Sequence, residues 1–253
     1  METRKIMIKR ILLLLLWSTF LLLAAFMQSC DDDDEIIVIT RYYAYEDAEE
    51  AVAVSLAYST YGMVANMNWA SNEIQENNEC GVLYQDNDTH YDETITGYIS
   101  YEYNYQEEYI WSCGPEVSVD YDLKATQQLK SLRFDYDHDI DLTFDISGLE
   151  ETSSDEIYVG SYQREGEWES NFNGETYRFT FDSDIDGVLV SKESNKIFAG
   201  AANFTLEQAY SYSNVTYTYE GTVEFLNEDQ AKVTFDSGEI FYVDLDNMSI
   251  SED

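Results

Sequence analysis

Between positions 134 and 146 the chain alternates without a break. Phe134, Tyr136, His138, Ile140, Leu142, Phe144 and Ile146 are interleaved with Asp135, Asp137, Asp139, Asp141, Thr143 and Asp145. Successive side chains of a strand point to opposite faces, so this period of two predicts a long strand with one buried face and one acidic, solvated face. The pattern recurs. Tyr101, Tyr103 and Tyr105 share a face, with Ile99 before them. Tyr177, Phe179 and Phe181 form another, and Val215, Tyr217, Tyr219, Val223 and Phe225 continue it. Val233 and Phe235, then Phe241, Val243 and Leu245, complete the series. Asn173-Gly174, Asp186-Gly187, Asn227-Glu228-Asp229 and Ser237-Gly238 read as the turns between them. The chain has one proline, so nothing interrupts the strands. Strands in series without helices between them predict a mainly β fold, an antiparallel meander forming a barrel or a sandwich. Both use the same period, and the pattern does not separate them.

One segment has a different period. Val52, Leu56, Met63, Met67 and Ile74 recur at spacings of three, four and seven, the apolar face of an amphipathic helix over 47–75. Asp47 with Glu50 has the form of a capping box at its start, and Gly62 is placed to break or bend it. The predicted organisation is a leader over 1–29, a tether over 30–45, the helix packed on the domain over 46–78, and an antiparallel β domain over 79–253.

The first 35 residues carry an address. Arg4, Lys5, Lys9 and Arg10 precede an uncharged apolar run over 11–27, then Gln28, Ser29 and Cys30. Charge, an apolar run and a small residue before a cut site form the secretory pattern. The run is short of the roughly 20 residues that span a bilayer core, which leaves a retained membrane anchor as the weaker alternative. Cys30 followed by Asp31, Asp32, Asp33, Asp34 and Glu35 resembles the start of Bacteroidota surface lipoproteins. Met27 and Gln28 differ from the strict lipobox, where Leu and a small residue are usual. The resemblance implies lipid on Cys30, with the acidic tract as a signal for export to the outer face of the outer membrane. The segment 160–245, with Gly221-Thr-Val-Glu-Phe225 before a turn and a final hairpin over 231–245, resembles the C-terminal β-meander of such lipoproteins. That likeness implies no activity.

Charge narrows the partners. Against 13 basic residues stand 51 acidic ones, a net charge of −38. Such a chain repels nucleic acids and anionic lipid surfaces and attracts cations and basic partners. With Cys30 assigned to lipid, Cys80 and Cys113 remain, an even pair in an oxidising compartment, predicted to form a disulfide.

Three patterns are candidates for a site. Asp182, Asp184, Asp186, Gly187 and Glu193 fit the twelve-residue calcium-loop spacing, in which alternate carboxylates converge on one ion. The alternative is an acidic hairpin, since Ile185 is apolar and the preceding residues read as strand. The ladder Asp135, Asp137, Asp139 and Asp141 puts carboxylates roughly 7 Å apart on one face. That spacing suits a solvated strand, and also the carboxylate pair of a glycosidase. Tyr101, Tyr103 and Tyr105, with Trp111, offer flat rings either to a core or to a sugar. The two histidines, His90 and His138, lie in unrelated contexts. No nucleophile with a base, zinc-ligand cluster or phosphate-binding glycine loop is readable. The expected function is a non-enzymatic, lipid-anchored, cell-surface protein that binds an extracellular glycan or protein or serves the envelope structurally. A glycan-processing enzyme with paired carboxylates and a carrier of hydrophobic ligands are the alternatives.

Overall fold

In the computed structural model the period-two segments are strands. It describes residues 33–93, 100–130, 134–170, 176–211 and 215–252. The chain divides after Tyr45 into two units. In the first, residues 33–44 are described by their backbone alone, and 33–45 is helical throughout. The predicted leader, Cys30, Asp31 and Asp32 lie outside the described residues. Asp33, Asp34 and Glu35 enter as backbone alone.

Two helices precede the strands: α1 (Asp33–Leu56) and α2 (Met63–Glu76), separated by a 3-10 turn at Tyr58–Thr60. The expected break at Gly62 is present, and Gly62 caps α2 in extended conformation. A Cβ there would lie 2.7 Å from the backbone oxygens of Ser55 and Ala57, so only glycine lets the second helix leave so close to the end of the first. The expected helix start at Asp47 is corrected. α1 already runs through it, and the Asp47 carboxylate accepts a hydrogen bond from the Tyr210 hydroxyl at 2.9 Å. The expected tether over 30–45 is likewise helical from Asp33 onward.

The strands are β1 (Leu83–Glu93), β2 (Ser100–Cys113), β3 (Val117–Lys130), β4 (Phe134–Ser147), β5 (Asp155–Ser170), β6 (Thr176–Ser191), β7 (Lys196–Tyr210), β8 (Thr216–Asn227), β9 (Gln230–Phe235), β10 (Ile240–Asp244) and β11 (Ile250–Glu252). They form one antiparallel sheet in strict chain order, with β1 and β11 as its edges. The meander is therefore a single open sheet. Laid flat at about 4.8 Å per strand it would be roughly 48 Å wide. Yet the helical segment 47–66 bonds to β2, β5, β7 and the residue after β10. The sheet reaches all of these by curving over that segment.

Alternation does the packing. On β3 from Val119 and on β6 from Tyr177 to Ile185 every second side chain is buried. Phe181, Phe204, Phe235 and Phe241 form a cross-strand row with ring centroids 5.5–5.7 Å apart. Each such ring stabilises the fold by about 1.5–3 kcal/mol through burial. Asp186-Gly187 is not a turn. β6 continues through it, and Gly187, with φ +79, sits at a bulge where pairing to β5 and β7 shifts register. Asn227–Asp229 and Ser237-Gly238 are turns as expected, while Asn173-Gly174 lies outside the described residues.

A guanidinium joins the helices to the middle of the sheet. Arg164 on β5 is fully buried. Its Nη1 donates to the carbonyls of Val54 (2.8 Å) and Thr60 (3.2 Å), at the negative end of the α1 dipole. Its Nη2 donates to Gln127 Oε1, and Nε to His138 Nδ1 at 3.0 Å. Burial and the neighbouring Arg164 charge hold His138 well below the ordinary histidine pKa, so the ring is neutral. Arg164 can only donate, so Nδ1 accepts, and the Trp168 indole N–H faces Nε2 at 2.9 Å. Gly166, paired with His138 across β4 and β5, leaves the space for this ring, since a Cβ would lie 2.3 Å from His138 Cδ2.

Candidate functional site

The sheet is not sealed at its β1–β2 end. Tyr101, Tyr103 and Tyr105 share the inner face of β2, as their alternation predicts, and α2 with the turn before it lies over them. Tyr61, held in the left-handed region at φ 49, stacks on Tyr103 at 4.5 Å and meets Tyr101 edge-on at 6.2 Å. Trp69 of α2 meets Tyr105 edge-on at 5.1 Å and His90 of β1 at 5.0 Å. His90 itself lies parallel to Tyr105. These rings, with Asn66, Asn68 and Asn72 of α2, line a cavity of about 270 Å³. At about 30 Å³ per water that is the volume of roughly nine waters. Among the described residues the lining contains no carboxylate, lysine or arginine.

Some polar groups here are satisfied. The Tyr103 hydroxyl donates to Asn66 Oδ1 at 2.7 Å, and Asn66 Nδ2 donates to the carbonyls of Tyr61 and Gly62. The Tyr105 hydroxyl donates to Asp86 at 3.1 Å. Others are not. Trp69 Nε1 and His90 Nε2 are buried without a hydrogen-bond partner among the described residues. Native interiors leave few such atoms.

Glu107 stands two positions along the same face of β2, behind the cleft. It is 4 % exposed. Burial pushes its carboxyl up to about 7, helped by the nearby Glu73 and Asp86 and opposed by the Tyr121 hydroxyl and the Trp69 indole. Tyr121 donates to Oε2, while Oε1 has no partner in bonding geometry. Trp69 faces this carboxyl without closing a hydrogen bond to it.

The structure gathers some of the predicted residues and separates others. Tyr101, Tyr103 and Tyr105 border the cleft, with Tyr103 and Tyr105 buried and Tyr101 half-buried. Trp111 does not join them. Its Nε1 donates to the Asn77 carbonyl at 2.8 Å, and it fixes the end of α2 instead. Cys80 and Cys113 form the expected disulfide, Cα atoms 5.6 Å apart, beside the isolated bridge of Cys80 to Trp111. The calcium loop is not a loop. Asp182, Asp184 and Asp186 point outward along strand β6, and Asp182 accepts from Gln163 at 2.7 Å. Glu193 lies in the turn beyond. An extended backbone spaces alternate carboxylates instead of converging them. Among the described residues no group of three His, Cys, Asp or Glu side chains is placed to hold a metal ion. The ladder of Asp135 to Asp141 lies on the outer side of β4, where Asp141 pairs with Lys124 at 3.0 Å.

Tyr61, Trp69 and His90 belong to the cleft and carried no signal as a group. They come from a turn, a helix and an edge strand. The one clue was Trp69 itself, a large ring beside the apolar stripe of α2 but not in it. No protein-family model, no curated protein and no solved structure matches this chain.

Proposed function

We propose that this is a lipoprotein, anchored in the outer membrane through Cys30 and facing the cell exterior, whose aromatic cleft binds a neutral, ring-shaped ligand of the sugar class. The observation that carries the binding reading is the cleft lining: Tyr61, Tyr101, Trp69 and His90 rings beside three asparagine amides, with no carboxylate, lysine or arginine among the described residues. Flat rings stack on the apolar face of a sugar while amides exchange hydrogen bonds with its hydroxyls. Burial of the inner face by Tyr, Phe and Trp side chains supports this reading over a carrier of hydrophobic ligands. Glu107 is not among the lining residues, which favours binding over acid–base chemistry. The anchoring and export reading rests on the residues from Arg4 to Glu35.

The test is tryptophan fluorescence of the full chain in non-ionic detergent, titrated with neutral mono- and oligosaccharides and with acidic sugars as controls. Saturable quenching by a neutral sugar, weakened at least tenfold in Trp69→Ala and Tyr101→Ala, is expected. A tenfold loss corresponds to about 1.4 kcal/mol. Silence across the panel, or binding indifferent to both substitutions, overturns the reading.

A further inference from the structure

The two edges of the sheet are unlike. β11 is three residues long. β1 has eleven, twice the usual strand length of about 5–6. On one side β1 pairs with β2 over its whole length, Leu83 opposite Ile110 through Glu93 opposite Ser100, without a register shift. Among the described residues no strand pairs with its other side. Native sheets blunt an edge by shortening it, bulging it, placing proline or charged side chains on it, or covering it. β1 is long, without a bulge and without proline, and Leu83 and Tyr91 on it are 55 % and 65 % exposed; of these devices it carries charge, as carboxylates. The edge is also held in place. The Cys80–Cys113 disulfide lies just before it, and His90 within it packs against Trp69 and Tyr105. A rigid edge has little ordering entropy to lose on pairing.

Charge decides what can pair there. The strand sequence carries Asp86, Asp88, Asp92 and Glu93 and neither lysine nor arginine. At a net charge of −38 a second copy of this chain is repelled. The Thr89 amide donates to the Asp88 carboxylate at 2.7 Å, a local acceptor in place of a neighbouring strand.

We propose that the open side of β1 is a docking edge that takes an extended, basic segment of a partner protein as a twelfth strand. Main-chain hydrogen bonds would supply affinity, and lysine or arginine at alternate positions opposite Asp86 and Asp88 would select the partner. The inference is independent of what the cleft binds.

The test uses the full chain in non-ionic detergent and a fluorescein-labelled ten-residue peptide alternating lysine with valine and threonine, read by anisotropy. Saturable binding is expected. It falls at least tenfold when alternate peptide amides are N-methylated, and at least tenfold in an Asn87→Lys, Asp88→Lys double variant whose circular dichroism melt matches the parent. The same peptide with glutamate for lysine does not bind. Equal binding of the N-methylated peptide would show charge attraction without strand pairing and overturn the proposal. So would indifference to the double variant, absence of binding at millimolar peptide, or a dimer of the chain that the double variant dissolves.

Discussion

Two buried polar clusters lie on the inner face of the same sheet, and they are built to opposite specifications. At the centre, Arg164 meets an acceptor at each of its three nitrogens: two helix carbonyls, an amide oxygen and a neutral imidazole. At the β1–β2 end, Glu107, Trp69 and His90 each keep a buried polar atom without a hydrogen-bond partner among the described residues, next to a cavity. A wrapped charge fixes one arrangement of helix on sheet. Polar atoms left open cost stability and make sense where something else is to be bound. Burial alone does not separate scaffold from site, since Arg164 and Glu107 are both buried, and neither does an unpartnered atom alone, since Gln127 Nε2 beside Arg164 and the Gln208 amide also lack a partner among the described residues.

The contrast can be broken from the centre first. Arg164→Met strips the donor from Val54, Thr60, Gln127 and His138 at once. At about 1–3 kcal/mol per orphaned group, offset by the buried charge no longer present, a loss of about 3–5 kcal/mol is expected in urea unfolding. Cys80→Ser releases the other end. Opening a loop of 33 residues should cost about 3–4 kcal/mol on the chain-entropy model. Oxidised and reduced melts of the parent would check this independently.

Glu107 sharpens the comparison through pH. Its folded-state pKa, about 7, lies above the ordinary value of 4.5, so the folded state holds the proton more tightly. Its contribution therefore falls as pH rises from about 4.5 through 7 and stays lost above that. Glu107→Gln should remove this slope and stabilise the protein at pH 8 on the order of 2–3 kcal/mol, read as urea midpoints across pH. His138 acts in the other direction. Its pKa is depressed, so stability declines as pH falls below the ordinary value of 6.5 and the unfolded chain takes the proton. At the small end, Lys124→Ala removes an exposed, solvent-screened ion pair with Asp141 and should leave the urea midpoint unchanged within measurement error.

The same division explains what could be read from the chain. β4 and the inner tyrosines of β2 were legible because their inner positions are apolar or aromatic. β5 was not, because its inner face carries Glu156, Arg164 and Gly166 among Tyr158, Tyr162 and Trp168, which hides the alternation. β1 is illegible for the opposite reason: its inner face is only half-buried, at Tyr84 and His90, with Asp86 and Asp88 exposed between them, so polarity does not alternate along it. β7 loses its parity at the bulge beside Gly187. The rings of β2 pointed to half of the cleft. Tyr61 and Trp69 reach it only because α1 ends and α2 begins at Gly62, a geometry that no linear spacing encodes.

Strict chain order in the sheet sets a schedule as well as a shape. Each strand finds its partner in the hairpin just completed, so the sheet can grow as the chain emerges. The helices cannot settle so early. Val54 waits 110 residues for Arg164, Asp47 waits 163 for Tyr210, and the Tyr58 amide donates to the carbonyl of Leu245, just after β10. The first part of the domain to be made is the last to be enclosed, and until the final hairpin closes over it α1 and α2 keep apolar surface open to chaperones and to proteases.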